Sequence, residues 1–214
     1  MVKIKICGLK RYEDIAYVNE LMPDYTGFIF ANSKRRVGIE EAKNLIEILD
    51  KKVQRVGVFV NEDIEKVKYI AEYLKLDIIQ LHGSEDEIYI KKLKGFRTWK
   101  VLGIDIGENI TDKLKYYQKQ IEILNNLPIE AIVLDSKLKD IQGGLGKGFN
   151  LEVIDMLDIK KPIILAGGLN SDNITNAISK VRPFAVDVSS GVEENGVKDF
   201  NKMNEFIKKV RDFE

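Results

Sequence analysis

Short apolar runs alternate with amphipathic segments along the whole chain. Several runs, such as 27–30 and 163–166, contain no charged residue, which is typical of strands that are covered by helices on both faces. The pattern predicts eight strands, at residues 2–8, 25–30, 55–60, 77–81, 98–102, 131–135, 162–166 and 185–189.

Between the strands, apolar residues recur at spacings of three and four, which predicts amphipathic helices. The clearest stripes are Ala42, Leu45, Ile46 and Leu49, then Ile64, Val67, Ile70, Ala71 and Leu74, and then Leu114, Tyr117, Ile121 and Leu124. Ser84 with Glu87 predicts a capping box after the fourth strand, and Ser171 predicts an N-cap after the seventh. The last helix is expected at about 199–211.

Eight strand–helix units in 214 residues predict an α/β protein with a single (β/α)8 TIM barrel around an eight-stranded parallel sheet. The structural alternative is a doubly wound open sheet. The count of eight, and the polar residues after many of the strands, favour the barrel. The sequence shows no linker, no low-complexity segment and no sign of a second domain. Residues 1–214 are therefore expected to form one domain.

Composition narrows the class of protein. Lys plus Arg equals Asp plus Glu at 34 each, which does not indicate a binder of nucleic acid or of an anionic membrane. One cysteine and one histidine argue against a disulfide framework and against Cys-rich or His-based metal sites. No segment has the pattern of a signal peptide or a membrane span, so a reducing cytoplasm is expected.

Two strand ends carry candidate acid–base groups. Cys7 ends the first strand, and in a parallel barrel the carboxyl ends of the strands form the active site. The alternative is that a lone cysteine is a small buried hydrophobe. Asp135 follows three apolar residues, and partial burial there favours the protonated carboxyl group that a general acid needs. The alternative for Asp135 is a residue that caps a turn.

Other strand ends carry groups that suit anions. Glycine clusters follow the sixth, seventh and eighth strands, where backbone N–H groups can approach a phosphate: Gly143, Gly144, Gly146, Gly167, Gly168 and Gly191, with Ser190. Arg35 and Arg36 follow the second strand and could clamp a carboxylate or phosphate, or belong to a solvated loop. His82 follows the fourth strand. It could be an acid–base group, or a structural residue held by hydrogen bonds.

The interior of the barrel is also predictable. Side chains alternate along a strand, so Lys5 shares the inward face with Cys7, and Asp187 points inward from the eighth strand, which neighbours the first on closure. A buried ammonium needs a partner. We therefore expect an ion pair between Lys5 and Asp187 beneath the site; the alternative is a lysine that reaches solvent at the barrel bottom.

Taken together, the motifs resemble those of the phosphoribosylanthranilate isomerase family, which catalyses an Amadori rearrangement in tryptophan biosynthesis. The segments that carry the resemblance are K-I-C-G (5–8), G-F-I-F with S-K-R (27–35), V-G-V-F-V-N (56–61), Q-L-H-G (80–83), L-D-S with G-G-L-G-K-G-F (134–149), A-G-G-L (166–169) and D-V-S-S-G-V-E (187–193). They cover nearly the whole chain in the family's order.

The resemblance implies a role for each candidate. Cys7 is the general base that removes the proton from ribose C2′, and Asp135 is the general acid that protonates the ring oxygen. Arg35, rather than Arg36, holds the anthranilate carboxylate, and the glycine-rich loops with Ser190 cradle the phosphate. The resemblance implies a small-molecule substrate, no cofactor and no metal, and leaves a monomer and a homodimer open.

Two other functions are considered. Another sugar-phosphate isomerase or epimerase on the same barrel would usually show paired carboxylates or metal-binding histidines, and this chain shows neither pattern. A non-catalytic module that binds phosphate ligands would keep the glycines and could lose Cys7 or Asp135, and both are present.

Overall fold

A computed structural model of the chain describes residues 1–104, 110–136 and 152–213. Strands and helices alternate as predicted. The barrel strands are β1 (Lys3–Cys7), β2 (Tyr25–Ile29), β3 (Gln54–Phe59), β4 (Ile78–Leu81), β5 (Thr98–Ile104), β6 (Ala131–Ser136), β7 (Ile163–Ala166) and β8 (Ala185–Val188). The helices are α1 (Tyr12–Leu21), α2 (Ile39–Glu47), α3 (Ile64–Tyr73), α4 (Glu87–Lys91), α5 (Ile110–Asn126), α6 (Glu152–Asp155), α7 (Ile174–Val181) and α8 (Phe200–Arg211).

The eight strands pair in chain order, and the sheet closes because β1 pairs in parallel with both β2 and β8. The closing register sets Lys5 opposite Tyr25 on one side and opposite Asp187 on the other. The predicted barrel is therefore confirmed, and the open doubly wound sheet is excluded. Closure brings the carboxyl ends of all eight strands around one opening.

The core has two layers. Inside the barrel lies a compact apolar cluster made of Tyr25, Val56, Ile78, Trp99, Ala131, Val133, Ile164, Ala166 and Ala185. Outside it, a larger cluster joins the helices to the strands, and residues from the three predicted helical stripes belong to it. Alternate residues of each strand serve the two layers, so β1 can point Lys5 and Cys7 inward while Ile4 and Ile6 pack beneath the helices.

Some local predictions were wrong. Asp86, not Ser84, caps α4 by accepting a hydrogen bond from the Tyr89 backbone at 2.8 Å. Ser171 does not cap α7, which begins after Asn173. Several polar residues precede each helix, and each of them could be the N-cap. The sequence pattern does not indicate which of them is the cap, so the predicted positions were wrong.

A short hairpin after β8 was not predicted. It consists of β9 (Glu193–Glu194) and β10 (Val197–Lys198), which pair in antiparallel fashion. A 3₁₀ turn, Ser190–Val192, leads into it from β8. The hairpin places Glu193 and the buried Lys198 beside the ends of β1 and β8.

No helix of the described ranges is long and apolar enough to cross a membrane.

Candidate active site

A cavity of about 250 Å³ opens at the carboxyl ends of the strands. Six of the predicted site residues line it, namely Cys7, Arg35, Asp135, Gly167, Gly168 and Ser190. Gln80, His82, Asp187 and Ser189 line it as well. The predicted residues Gly143, Gly144 and Gly146 lie outside the described residues. The fold thus gathers these residues from six strands, β1, β2, β4, β6, β7 and β8, or from the loops that follow them.

Cys7 ends β1 and is buried, with 6% of its surface exposed. Its carbonyl oxygen accepts a hydrogen bond from the Ser189 hydroxyl at 2.9 Å, which ties the end of β1 to β8. On the other side stands Gly27 of β2, where a Cβ atom would lie 2.6 Å from the Cys7 Sγ. Glycine is therefore required there, because any side chain would displace the thiol.

Beneath Cys7, the ammonium of Lys5 contacts the Asp187 carboxylate, with 2.7 Å between Nζ and Oδ2. Lys5 is fully buried, so the predicted ion pair is confirmed and a solvent-exposed lysine is excluded. Burial alone would lower the pKa of Lys5, but the attraction of Asp187 and Cys7 outweighs it and raises that pKa. Burial also raises the pKa of the Cys7 thiol, while the charge of Lys5 opposes that rise.

Asp135 lies across the cavity on β6, where it pairs with Ala166 of β7. Its Oδ2 lies 3.3 Å from the Nε2 of His82, and about a quarter of the carboxyl side chain is exposed, at 26%. The His82 backbone donates to the Phe59 carbonyl at 2.8 Å, which fixes the start of the loop after β4. His82 therefore belongs to the cavity and contacts the candidate acid.

Arg35 is held by a carboxylate that the sequence analysis did not single out. Its Nε and Nη2 donate to the two oxygens of Glu193, each at 2.7 Å. The buried Lys198 donates to Glu193 Oε1, also at 2.7 Å. Burial would raise the pKa of Glu193, but hydrogen bonds from Arg35 and Lys198 lower it to about 2. Arg36, in contrast, is exposed. Glu193 was visible as the last residue of the D-V-S-S-G-V-E motif, which could have drawn attention to it.

The loops after β7 and β8 are built from glycines for steric reasons. Gly167 and Gly168 have φ angles of 92° and 63°, in the region that favours glycine. Gly191 does not line the cavity, but a Cβ atom there would lie 1.9 Å from the Leu169 carbonyl oxygen. The two loops therefore pack backbone against backbone, with Ser190 at the cavity wall.

Two residues carry buried oxygens for which the sequence predicted no role towards a ligand: Gln80, and Asp187, which was predicted only as the partner of Lys5. Gln80 Oε1 and Asp187 Oδ1 are buried and lack a hydrogen-bond partner within the described part of the chain. Both residues line the cavity. A buried polar atom without a partner is costly, so these oxygens suit a ligand that carries hydrogen-bond donors such as hydroxyl groups.

The residues that the structure describes contain no cluster of three or more His, Cys, Asp or Glu side chains suited to a metal ion. A thiol, a carboxyl group beside an imidazole, and a guanidinium instead surround one cavity. Such a cavity at the carboxyl end of a closed parallel barrel defines a (β/α)8-barrel enzyme.

Comparisons with known proteins specify the family. The family model of N-(5′-phosphoribosyl)anthranilate isomerase matches residues 4–209. A protein of that name from Thermoanaerobacter sp. (strain X514) is 50% identical over 211 residues, which are 99% of this chain and 98% of the relative. The chain therefore belongs to the N-(5′-phosphoribosyl)anthranilate isomerase family, and the predicted family and enzyme class are confirmed.

Solved structures agree with this assignment. Monomers of the dimeric phosphoribosylanthranilate isomerase from Thermotoga maritima superpose with a TM-score of 0.79 at 37% identity, covering 99% of this chain and 100% of that one. A phosphoribosylanthranilate isomerase in complex with reduced 1-(o-carboxyphenylamino)-1-deoxyribulose 5-phosphate gives a TM-score of 0.79 at 35% identity, with the same coverage.

Proposed function

We propose that the protein converts N-(5-phosphoribosyl)anthranilate to 1-(2-carboxyphenylamino)-1-deoxyribulose 5-phosphate in tryptophan biosynthesis, with Cys7 as base and Asp135 as acid. The observation that carries these roles is that both residues line one cavity, from β1 and β6 of the closed barrel. A sugar ring between these strands can be protonated from one side and deprotonated from the other.

The chemistry combines the opening of the sugar ring with proton transfers. Asp135 donates its proton to the ring oxygen, the bond between C1′ and that oxygen breaks, and the lone pair of the amine nitrogen forms an iminium. The positive iminium makes the proton on C2′ acidic. The Cys7 thiolate takes that proton, and the electrons of the C–H bond neutralise the iminium, which gives an enol with the amine on C1′. The enol becomes the ketone when C1′ gains a proton and the C2′ hydroxyl loses its proton. A cofactor is not needed for any of these steps.

Arg35 is proposed to hold the anthranilate carboxylate. Glu193 occupies the Nε and Nη2 nitrogens, so the Nη1 nitrogen is the one that this ion pair does not use. Because Glu193 also binds the buried Lys198, it anchors the guanidinium at the cavity wall. The substrate then meets an arginine whose orientation is already fixed, which reduces the entropy lost on binding.

The loops after β7 and β8 are proposed to bind the phosphate, through Gly167, Gly168, Ser190 and Gly191, together with the predicted Gly143, Gly144 and Gly146. The positive φ angles of Gly167 and Gly168 and the close packing of Gly191 support this role. Backbone N–H groups in such turns suit an anion. The unpartnered oxygens of Gln80 and Asp187 suit the ribose hydroxyls.

Steady-state kinetics with Cys7→Ser and Asp135→Asn test the two roles. Serine is a far weaker base near neutral pH, and asparagine has the shape of aspartate without its acidic proton. We expect kcat to fall by at least about a hundredfold in each variant, with KM changed much less. Folding of both variants is checked by circular dichroism. A variant that stays within about tenfold of wild-type turnover, or ~1.4 kcal/mol in the barrier, refutes the role of that residue.

We further propose that the enzyme works in the cytoplasm, where a free buried thiol such as Cys7 stays reduced.

Residues 1–214 are proposed to act as one domain. Sedimentation of the purified chain distinguishes the monomer from the homodimer, the two assemblies that the sequence leaves open.

A further inference from the structure

The buried ammonium of Lys5 lies next to the catalytic thiol. Lys5 and Cys7 are two residues apart on the inward face of β1, and Gly27 of β2 stands opposite. The Cβ position of Gly27 is 2.6 Å from the Cys7 Sγ and 3.2 Å from the Lys5 Nζ. The thiol and the ammonium therefore face the same point inside the barrel, with no side chain between them on β2.

Stability alone does not explain why a charge is placed there. Removing two charged groups from water is costly before their attraction is counted, and well-packed apolar residues of similar volume are often at least as stable. Apolar residues such as Val56, Ile78 and Ile164 form a compact cluster inside the barrel. The pair of Lys5 and Asp187 sits at the one end of this interior where the proposed proton transfer occurs.

We propose that Lys5 is a positioning residue for proton abstraction: its ammonium, held by Asp187, stabilises the thiolate of Cys7 from beneath. This inference rests on the proposed role of Cys7 as the base. Asp187 fixes the ammonium through Oδ2 at 2.7 Å and at the same time limits its effect, since the carboxylate repels the thiolate. The positive charge of Lys5 therefore lowers the proton affinity of Cys7, whereas the negative charge of Asp187 raises it.

The charges that face Cys7 come from several elements. From below, Lys5 lowers the pKa of the thiol, whereas Asp187 of β8 raises it. From the side, Lys198 of β10 also lowers it, but less than Lys5 does. Arg35 interacts with Cys7 from the loop after β2, and the single negative charge of Glu193 pairs with both Arg35 and Lys198.

Across the cavity stand His82 and Asp135, which contact each other. Lys5 differs from the other cations near Cys7 because it is fully buried and Glu193 does not hold it.

The test measures the titration of Cys7 directly. The chain has one cysteine, so labelling its Cβ with ¹³C gives a single NMR signal whose shift follows the thiol. We expect Lys5→Met to raise the pKa of Cys7 and Asp187→Asn to lower it. Lys3→Met is the matched control, because Lys3 lies two residues earlier on the same face but is exposed and paired with Asp24, so the titration should not move.

The pH dependence of kcat shows whether the stabilised thiolate changes the rate of the reaction. Each unit by which the thiol pKa rises lowers the thiolate fraction at neutral pH about tenfold. For Lys5→Met we expect a fall in kcat of at least about tenfold near neutral pH, recovery as the pH is raised, and an almost unchanged KM. A merely structural role would lower activity equally at every pH.

Several results would overturn the proposal. They are an unchanged Cys7 titration in Lys5→Met, shifts of the same sign in Lys5→Met and Asp187→Asn, or an unmoved pH profile of kcat. If Lys5→Met does not fold, the pair Asp187→Asn and Lys5→Met/Asp187→Asn decides, since the double variant must titrate at higher pH than Asp187→Asn. Turnover of Cys7→Ser tests the proposed base separately: full activity there refutes the role of Cys7, whatever the titrations show.

Discussion

Glu193 holds both Arg35 and the buried Lys198, so its replacement by glutamine is the most informative single change outside the proposed acid–base pair. Glutamine keeps the size of the side chain but removes the negative charge that two cations share. Arg35 would lose a bidentate partner, and Lys198, whose side chain is 1% exposed, would keep its charge without a counter-ion. Both effects destabilise the folded state.

The magnitude follows from the pKa of Glu193, which is about 2 instead of 4.5. A difference of that size corresponds to roughly 3 kcal/mol of stability at neutral pH. The sign follows from the lowered pKa of the folded state: the contribution is complete above the unfolded value of 4.5 and is lost as the pH falls towards 2. At pH 3 less than about half of it remains.

Urea unfolding of the wild type and Glu193→Gln measures this difference. We expect the variant to be less stable by roughly 3 kcal/mol at pH 7, and the gap to shrink by more than about half at pH 3. Glu194→Gln is the matched control, because the neighbouring Glu194 is exposed and forms its ion pair with the partly exposed Lys202. It should change stability by less than about 0.5 kcal/mol. A Glu193→Gln gap below that value at pH 7, or a gap that does not depend on pH, refutes the reasoning.

Three further changes test the site. Arg35→Ala should raise KM more than it lowers kcat, because the proposed contact with the substrate carboxylate would be present in both ground and transition states, and Arg36→Ala should do less; the reverse order in steady-state kinetics would contradict the assignment. Gly27→Ala should displace the Cys7 thiol and lower kcat by at least about tenfold in a folded protein, and unchanged kcat would refute the packing argument. Gly191→Ala should lower the free energy of unfolding by more than about 2 kcal/mol in urea titrations, because its Cβ would overlap a backbone carbonyl; a smaller loss would show that the loop can shift.

The barrel was predictable because its strands and helices produce periodic patterns of apolar residues in the sequence. Strands that are covered on both faces give apolar runs, and the helices between them give stripes at three and four residues, so both can be located without tertiary contacts. Alternation along β1 and closure onto β8 were enough to predict the ion pair of Lys5 and Asp187. These two rules of sheet geometry relate a residue's position in the sequence to its place in the barrel, so they can predict a contact between individual residues.

Other parts were not predictable because they depend on contacts between distant loops. The strands of the β9–β10 hairpin have two residues each, too few for a periodic signal. Glu193 therefore went unassigned as the partner of Arg35, which lies 158 residues earlier. Glu85, similarly, is buried because it accepts from Lys100 of β5 at 2.9 Å and from the Asn61 backbone at 2.8 Å. Such networks join residues that are far apart in the sequence, so no local pattern reveals them.

Cys7 is proposed to remove a proton from phosphoribosylanthranilate in a cavity that Asp135, His82 and Arg35 also line. The most direct measurement is the conversion of this substrate by the purified chain, followed spectroscopically, with the product identified by mass spectrometry and NMR. We predict rapid formation of the deoxyribulose phosphate without added metal or cofactor by the wild type, and almost none by Cys7→Ser. A folded wild-type protein that leaves the substrate unchanged, or a Cys7→Ser variant that converts it at the wild-type rate, would contradict the account.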